Sequence, residues 1–583
     1  MPRRLGHYVL RGSYLGFLWI LALTAWQAIV GWERAATIGD HARFAMILFR
    51  GLTYLLIIVI PFFSALLAAS AVTREKERRT FVLLLLTDLR SYEIVLGKLL
   101  GSLLQIALLL IGTLPILALL MLLGGIAAFQ VLQVGLVVAA SALAAGALGN
   151  LVALWREKTF QVLAFTFLFL VLYECGVKAV PVVSGISASS SALAWFDPLL
   201  ALQFVFEGSP GLFNPVYGYV AVMLLGSVAL VNWGMLKLRV WNPSGEPIMQ
   251  RERPEDVAAS EAIDRQKAHA APGALRQVWG NPILWREIRT RAYGRRPLLV
   301  KLAYFVAIAF ICYYALLLTT GPRLPFLAAY GLVPVGILSM LLVAVQAVTA
   351  ITSERDTGSL DLLLVTDLSP NEFIFGKLGG ILWNAKEFFL PPFILAGVYG
   401  WLGLLASPPA RFPQLAWRMN LEAFAAVEVA LLLLLAFGVV FGIHVALRNP
   451  NSRLAVLLTL GTVFFLSVGT LICVYLILIN GRFEAQWSSF VLFGFASIAG
   501  LNWVLNGERP SAALTTASIL CPAAVFYAVT TILVGKPGST ESVDPMLPLM
   551  ALAGSFGFAV AGMLIPLLSE FDVALGRTSA GGD

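Results

Sequence analysis

Two stretches of the chain determine its organisation, because each repeats the other. Residues 73–101 read TREKERRTFVLLLLTDLRSYEIVLGKLLG, and residues 352–380 read TSERDTGSLDLLLVTDLSPNEFIFGKLGG. They align without a gap at a constant offset of 279, and 13 of the 29 aligned positions are identical. Each copy is charged and rich in turn residues, and each connects two long apolar runs. We interpret so close a duplication as the sign of a contact made outside the apolar regions.

The composition excludes an ordinary soluble protein. Hydrophobic residues make up 59% of the 583 residues, charged residues only 12%, and the mean hydropathy is +0.87. A soluble chain is about 25% charged. Apolar runs of about eighteen residues or more recur, which predicts an all-α polytopic membrane protein. The net charge of +8 is explained by the basic loops that set membrane topology, so we do not expect nucleic acid as a partner.

We predict about twelve spans, six in each half. The basic N-terminus leads into a long apolar run without a clear cleavage site, which we interpret as the first span rather than a signal peptide. The predicted spans are 15–32, 45–71, 98–124, 127–154, 159–181 and 214–236, followed by 298–320, 326–351, 377–405, 423–447, 453–480 and 546–569.

The distribution of Lys and Arg predicts which side of the membrane each connector occupies. The stretch 237–301 carries thirteen basic residues, whereas the connector 179–213 carries none. The second half follows the pattern less regularly, yet the bias places both termini and both repeated stretches in the cytosol. Because six spans separate the two copies, the halves are predicted to be parallel repeats related by an axis along the membrane normal. The predicted units are residues 1–239, a first transmembrane half; 240–297, a cytosolic linker with a short helix; and 298–583, a second transmembrane half.

Two outer connectors are long and apolar. The first covers 184–213 and the second covers 481–545, where 488–506 and 519–534 are each too short or too broken for a confident span. We expect re-entrant or interfacial helices there, buried against protein. An additional pair of spans is the alternative, and it would preserve the same sidedness.

Each repeated stretch predicts a short apolar helix followed by a turn and the start of the next span. Thr80 and Ser359 are predicted N-caps, since a hydroxyl oxygen can accept a hydrogen bond from a backbone N–H that has no partner within the helix. In the second copy, Ser369 and Glu372 form the pattern of a capping box, with Pro at the first helical position. The first copy has Arg90 where Ser369 stands, so its cap is predicted to be weaker or different.

Ionisable and polar residues inside apolar runs are candidates for a transport pathway. Glu174 and Lys178, four residues apart, are predicted to form an intrahelical pair. Lys386 and Glu387 are predicted to pair locally within the bundle. The possible pathway residues are Glu428, Gln105 and Asn384. Gln105 and Asn384 are equivalent positions of the repeat. The four cysteines and four histidines are scattered, so neither a disulfide framework nor a metal site is expected.

The two repeated stretches resemble the coupling-helix signature of type-2 (ABC-2 type) permeases, the membrane subunits of ATP-binding-cassette exporters. The second copy, SERDTGSLDLLLVTDLSPNEFIFGK, is the closer match. The first departs at Arg79, where the family usually has Gly, and at Arg90, and both copies have Asp where Pro is common. The run NPILWREI at 281–288 is similar to the amphipathic elbow helix that precedes the first span in this family. The N-terminus lacks that Asn-Pro entry, so the first elbow is expected to be abbreviated or absent.

The resemblance implies a two-half exporter permease in a bacterial plasma membrane, driven by separate cytosolic ATPase subunits. The chain is then not itself an enzyme and needs no cofactor. Its Gly-Lys pairs lack the following Ser or Thr of a phosphate-binding loop, which agrees with ATP hydrolysis elsewhere. Other partners are membrane lipid and a transported substrate that the sequence does not identify. The residues expected to couple to the ATPase are Glu75, Glu77, Thr80, Asp88, Glu93, Glu354, Asp356, Ser359, Asp361, Asp367, Ser369 and Glu372.

Two other classes of protein fit the same sequence. An ion-coupled secondary transporter would need coupling groups near the membrane midplane. Glu428 could be one, but its repeat equivalent is Gly149. A membrane scaffold would recruit a cytosolic partner without transport. Co-purification of an ATPase would weaken the first alternative, and a transport assay would separate an exporter from a scaffold.

Overall fold

The structure is a computed structural model that describes most of the chain. The described residues are 5–30, 37–185, 189–208, 214–242, 280–289, 297–319, 329–364, 368–405, 416–480, 487–507, 510–534 and 545–569. Over these ranges every regular element is helical. Eleven helices in them are long and apolar enough to cross a membrane. The prediction of an all-α polytopic membrane protein is therefore confirmed.

The first half contains eight α-helices among the described residues, and two of them, the third and the seventh, are short. A single 3₁₀ turn, Leu193–Trp195, precedes the seventh helix. The α-helices are α1 Leu5–Ile29, α2 Ile38–Glu77, α3 Thr80–Leu86, α4 Ser91–Leu122, α5 Ala128–Trp155, α6 Thr159–Ser184, α7 Pro198–Phe206 and α8 Pro215–Trp241.

The second half begins with a short helix inside the region predicted to be a linker. The helices are α9 Pro282–Arg289, α10 Pro297–Thr319, α11 Ala329–Asp356, α12 Ser359–Leu364, α13 Pro370–Trp401, α14 Ala416–Arg448, α15 Ser452–Asn480, α16 Trp487–Asn506, α17 Ala512–Val534 and α18 Met546–Ser569. The helix predicted at NPILWREI is confirmed as α9. Residues 243–279, the remainder of the predicted linker, lie outside the described residues.

The eleven candidate spans differ from the predicted spans in three places. In α1 only a shorter stretch, Tyr14–Gln27, is continuously apolar, and α13 is interrupted by charged residues and is not among the eleven. The third difference corrects the prediction for the second outer connector. There α17 contains a candidate span over Ala512–Ile532, so the apolar helix is longer than the segment 519–534 predicted from the sequence.

Two hydroxyl side chains near the start of α17 bond to the backbone of their own helix. The Thr515 hydroxyl donates to the Ser511 carbonyl at 3.0 Å, and the Ser518 hydroxyl donates to the Thr515 carbonyl at 2.8 Å. Hydroxyl groups that bond to their own helix backbone are satisfied without water. The apolar helix consequently begins earlier in the sequence than its composition suggests.

Each half is organised around one central helix. In the first half α2 packs against α4, α5 and α6, and α5 packs against α8. In the second half α11 packs against α13, α14 and α15, and α14 packs against α18. Small residues allow α5 to approach α2 closely, since a Cβ on Gly149 of α5 would lie 2.6 Å from the Ala65 carbonyl oxygen of α2.

The halves meet along several helices. Helix α6 contacts α10 and α11, while α15 contacts α1 and α2. The Phe62 ring of α2 stacks on the Phe464 ring of α15, with centroids 3.9 Å apart. Buried aromatic stacking of this kind contributes to the stability of the interface between halves.

Candidate functional site

Both repeated stretches contain a left-handed turn that leads from a long helix into a short one. After α2 the chain turns through Arg79, with φ of 58°, and enters α3. After α11 it turns through Gly358, with φ of 73°, and enters α12. The left-handed conformation suits Gly and is costly for other residues. The departure at Arg79 noted in the sequence therefore falls on the position where the backbone favours Gly.

The prediction that Thr80 and Ser359 are N-caps is wrong. Thr80 is already the first residue of α3, and its hydroxyl donates backwards to the Glu75 carbonyl at 3.3 Å. The Ser359 hydroxyl does the same with the Glu354 carbonyl at 3.2 Å. Each hydroxyl thus closes the end of the preceding long helix, because the left-handed residue just before it reverses the chain direction.

The predicted capping box at the start of α13 is confirmed. The Ser369 hydroxyl accepts from the Glu372 N–H at 3.3 Å, and the Glu372 carboxylate accepts from the Ser369 N–H at 3.0 Å. The Ser369 hydroxyl and N–H both donate to this carboxylate, which lowers the pKa of Glu372. In the first copy only the reciprocal bond is present, from the Arg90 N–H to Glu93 at 2.8 Å.

A buried ion cluster holds the second copy together. The Lys377 ammonium, 1% exposed, lies 2.6 Å from a carboxylate oxygen of Glu287 and 2.7 Å from one of Glu354. Arg286 forms ion pairs with the same two carboxylates. Two cations thus face two anions, and Glu287 itself is only 3% exposed. The cluster joins α9, α11 and α13, so the carboxylate of Glu354 has a structural partner on each side.

Helix α9 lies directly against a glycine face of α13. Cβ atoms built on Gly376, Gly379 and Gly380 would lie 2.5–2.8 Å from side-chain atoms of α9. The Asn281 side-chain amide donates to the Glu372 carbonyl at 2.8 Å, and that of Asn384 donates to the Glu287 carbonyl at 3.2 Å. Because these glycines have no side chains, the surface of α13 has a groove in which α9 lies. The two amide hydrogen bonds anchor both ends of α9 on α13.

The first copy has the same ion pair but an open groove. Lys98 pairs with Glu75, and the two side chains are 28% and 27% exposed. No atom of the described residues lies within 4 Å of a Cβ built on Gly97 or Gly101, which are the repeat equivalents of Gly376 and Gly380. No described helix fills the position that α9 occupies in the second half.

A second pair of equivalent residues was missed by the sequence reasoning. The Lys76 ammonium donates to the Leu154 carbonyl at 2.6 Å and to the Arg156 carbonyl at 3.2 Å, at the end of α5. Arg355, at the same repeat position, donates to the Ala446 carbonyl at 2.5 Å, at the end of α14. Cations here bind free carbonyls and the negative end of the helix dipole. The sequence did contain a signal for this pair, because both copies of the repeat have a basic residue at this position.

The remaining acidic residues of the motif are divided between buried and exposed positions. Glu77 is buried and accepts from the Thr159 N–H at 3.0 Å. The Asp356 carboxylate pairs with Arg78 at 3.0 Å, which directly links the two copies of the motif. Asp88 and Glu93 are exposed. Asp361 lies in α12, and Asp367 lies outside the described residues.

The short helix α3 presents apolar side chains on its outer face. Leu83 is 63% exposed and Leu86 is 66% exposed, whereas Phe81 and Leu85 are buried against the protein. Leu89 and Tyr92, which follow, are also exposed. The predicted coupling residues Thr80, Asp88 and Glu93 are also exposed, and they flank these apolar residues in the sequence.

A large cavity lies between the halves. Its volume is about 1070 Å³, and its walls come mainly from α2, α5, α6 and α8, with α10 and α11 of the second half closing one side. The walls are largely apolar and aromatic. Their acidic group is Glu174, which has no hydrogen bond or ion pair among the described residues.

The intrahelical pair predicted for Glu174 and Lys178 is wrong, whereas Glu387 does pair within the bundle, as predicted. Lys178 pairs with Asp197, the N-cap of α7, instead of Glu174. Glu387 pairs with Lys301 of α10 at 2.6 Å, and the Lys386 ammonium lies 3.8 Å from the centroid of the Trp383 ring. In both cases the partner lies on a neighbouring element, which sequence spacing does not reveal.

The proposed pathway residues lie away from the cavity walls. Glu428 is half-buried on α14, and Gln105 is half-buried on α4, while Asn384 binds the carbonyl groups of Glu287 and Gly380. None of these three lines the cavity between the halves. Their role in a pathway stays a prediction.

The described residues contain no group of His, Cys, Asp and Glu arranged to hold a metal ion. Compared with protein-family models and with curated proteins, the chain shows no match. What the site can do is therefore argued from its geometry: the exposed apolar side chains of α3, an ion cluster that ties the motif to long helices, and a cavity between the halves.

Proposed function

We propose that this chain is the membrane permease of an ATP-driven exporter, with two parallel half-permeases that dock a separate cytosolic ATPase. Both termini and both motifs would lie on the cytosolic side of a bacterial plasma membrane. The observation that carries the proposal is the duplicated junction itself. In both copies a long helix ends in a left-handed turn, a short helix follows, and a Lys of the next long helix pairs with a Glu of the first.

The packing of the helices supports the two-repeat arrangement. The contacts of α2 with α4, α5 and α6 correspond to those of α11 with α13, α14 and α15. The contacts between halves also correspond, since α6 meets α10 and α11 while α15 meets α1 and α2. A two-fold relation along the membrane normal would place the two short helices at the same face, and the Arg78–Asp356 ion pair agrees with this.

The geometry also supports transmission of force from a docked partner. Helix α3 is short and exposes Leu83 and Leu86, which suits insertion into an apolar groove of another protein. Its neighbours are held firmly, because Lys76 binds the end of α5 and Glu77 binds the start of α6. A displacement of α3 would thus be passed to three long helices that border the cavity.

The test uses the full chain together with a candidate cassette ATPase from the same genome. Both are purified and reconstituted in vesicles, and ATP-dependent efflux and ATPase binding are measured. Replacing Leu83 and Leu86 by Ser should lower ATPase affinity at least tenfold with normal insertion. The matched control is Leu298→Ser, which changes an equally exposed leucine outside the repeated motifs and should leave binding unchanged.

Ion-gradient-driven uphill transport by the chain alone would contradict the proposal and favour a secondary transporter. ATPase binding without any transport would favour a scaffold. Equal binding by the double Ser variant would show that α3 lies against lipid instead of docking the partner.

A further inference from the structure

We propose that the cavity between the halves binds an amphipathic organic cation, with Glu174 as its counter-ion. This names the substrate class of the exporter and so rests on the proposed function. Glu174 projects from α6 into a space of about 1070 Å³. Its expected partner Lys178 is occupied by Asp197, which leaves the Glu174 carboxyl without an ion pair among the described residues.

An acidic group in apolar surroundings is costly unless it faces a partner or a cavity. The cavity provides the space, and its aromatic walls provide a second interaction for a positive charge. Tyr173 stands beside Glu174 on α6, and Tyr313, Tyr314 and Tyr330 come from the opposite half. Aromatic faces attract organic cations.

The volume of the cavity and the chemistry of its walls define the rest of the ligand. A volume near the upper limit of small-molecule sites, roughly 300–1,000 Å³, accommodates a bulky apolar body. Lys178 also lines the cavity, but its charge is balanced by Asp197, with which it pairs, and Asp197 in addition accepts a hydrogen bond from the Leu199 N–H at 2.9 Å. Glu174 is therefore the group that would distinguish a cation from an anion of the same shape.

The test compares tetraphenylphosphonium with tetraphenylborate, which have the same shape and opposite charge. Binding to the purified full chain in nanodiscs is measured by equilibrium dialysis, with empty nanodiscs subtracted. The phosphonium should bind at least tenfold more tightly than the borate. Glu174→Gln should remove this preference, while Glu207→Gln, an exposed carboxylate beyond α7, should leave it intact.

Equal binding of the two ions, or an unchanged preference in Glu174→Gln, would overturn the proposal and indicate an unselective apolar cavity. Thermal unfolding of each variant in the same nanodiscs confirms that the fold is intact. The assay contains no ATP and no ATPase, so selective binding without ATP-driven efflux would reject the exporter function and keep the cation site.

A separate observation concerns the open groove on α4. We infer that residues 247–252, Pro-Ile-Met-Gln-Arg-Glu, occupy this groove as α9 occupies the groove on α13. The segment matches Pro282–Glu287, Pro-Ile-Leu-Trp-Arg-Glu, at four of six positions, including the Arg-Glu pair. That pair is the part of α9 that binds Glu354 and Lys377.

The charges in the open groove match this occupant. Lys98 pairs with Glu75 alone among the described residues, and the second Glu75 oxygen has no hydrogen-bond partner among them. In the second half, Arg286 and Glu287 bind the equivalent Glu and Lys. Arg251 and Glu252 would supply the same two charges to the first half.

The segment follows closely after a helix that packs beside the groove. Helix α8 packs beside α4, and the Arg239 guanidinium near its end donates to the Leu89 carbonyl at 3.4 Å. The five residues from Asn242 to Pro247 can extend roughly 17 Å. The two grooves differ at one position, because the first half has Leu100 where the second half has Gly379. The occupant must leave space for this leucine side chain. Under this inference Met249 would stand where Leu284 stands in the second half, and a methionine side chain is flexible enough to fit beside Leu100.

The test is a disulfide between Gly97→Cys and Ile248→Cys, equivalent to the Gly376 and Ile283 contact, in a full chain whose four native cysteines are replaced by Ala. Mass spectrometry of the digested protein reads the linked peptides. The pair Gly376→Cys with Ile283→Cys is the positive control, and Gly97→Cys with Ala258→Cys is the negative one. Arg251→Glu should slow cross-linking at least fivefold, and adding Glu75→Arg should restore it.

Failure of the 97–248 disulfide while the positive control forms would overturn the inference. A disulfide that joins two differently tagged chains, and not one chain, would show that a second copy fills the groove and would also overturn it.

Discussion

At the scale of single residues, Arg79 and Gly358 occupy equivalent turns, and only Gly suits the backbone they share. Arg79 has φ of 58° and Gly358 has φ of 73°. A left-handed conformation costs a residue with a side chain about 1–2 kcal/mol. Arg79→Gly should therefore raise the free energy of unfolding by about 1 kcal/mol, measured by thermal or denaturant unfolding in detergent.

The matched control for this prediction is Gly358→Arg. It should lower stability by a similar amount, since no atom of the described residues lies near a Cβ at this position and only the backbone conformation is changed. A loss of stability in Arg79→Gly would instead mean that the guanidinium makes a contribution larger than the cost of its backbone conformation.

Lys377 is the second residue whose energetics the structure makes specific. Its ammonium is buried between Glu287 and Glu354. Removal of one partner of a buried ion pair costs about 3–5 kcal/mol, because the other charge is left unpaired. We expect Lys377→Met to be strongly destabilised in denaturant titration. The double variant Lys377→Met with Glu287→Gln should recover much of the loss, and an additive double variant would show that the two charges do not interact.

At the scale of elements, the seating of α9 depends on glycines of α13. A Cβ on Gly380 would lie 2.5 Å from the Glu287 Cβ, so Gly380→Ala must displace α9. Overpacking of this kind costs about 1–3 kcal/mol. We expect the variant to unfold at lower temperature and to expose α9 to limited proteolysis.

Gly397 provides the control on the same helix. No atom of the described residues lies within 4 Å of a Cβ built there, and Ala is a better helix former than Gly by about 1 kcal/mol. Gly397→Ala should be neutral or stabilising in the same assays. If Gly380→Ala and Gly397→Ala had the same effect, the glycine at 380 would not be needed for the close packing of α9.

At the scale of the whole molecule, the halves are joined by a packed interface as well as by the chain. Helix α6 lies on α10, and Phe62 stacks on Phe464. Residues 1–260 and 261–583, expressed together as separate chains, should therefore co-purify in mild detergent. Phe464→Ala should weaken their association at least tenfold, whereas Phe495→Ala, an exposed ring on α16, should not. Dissociation of the unmutated fragments would show that the covalent linker holds the halves together.

The amino-acid sequence alone determined the class of protein and the position of the motif. Hydropathy and the 279-residue repeat predicted a helical membrane protein with two charged connectors, because span length and apolarity are local properties. The capping box of Ser369 and Glu372 was also predicted correctly, since a cap involves residues three positions apart.

Only the tertiary structure determined which charges meet. Lys178 pairs with Asp197 and not with Glu174, and Lys377 meets Glu287 from a helix ninety positions earlier. The N-cap assignments of Thr80 and Ser359 failed because the preceding left-handed residue turns each hydroxyl towards the helix before it. Ion pairing depends on distances between elements that are remote in sequence, so residue spacing predicts a cap and the packing of helices decides a partner.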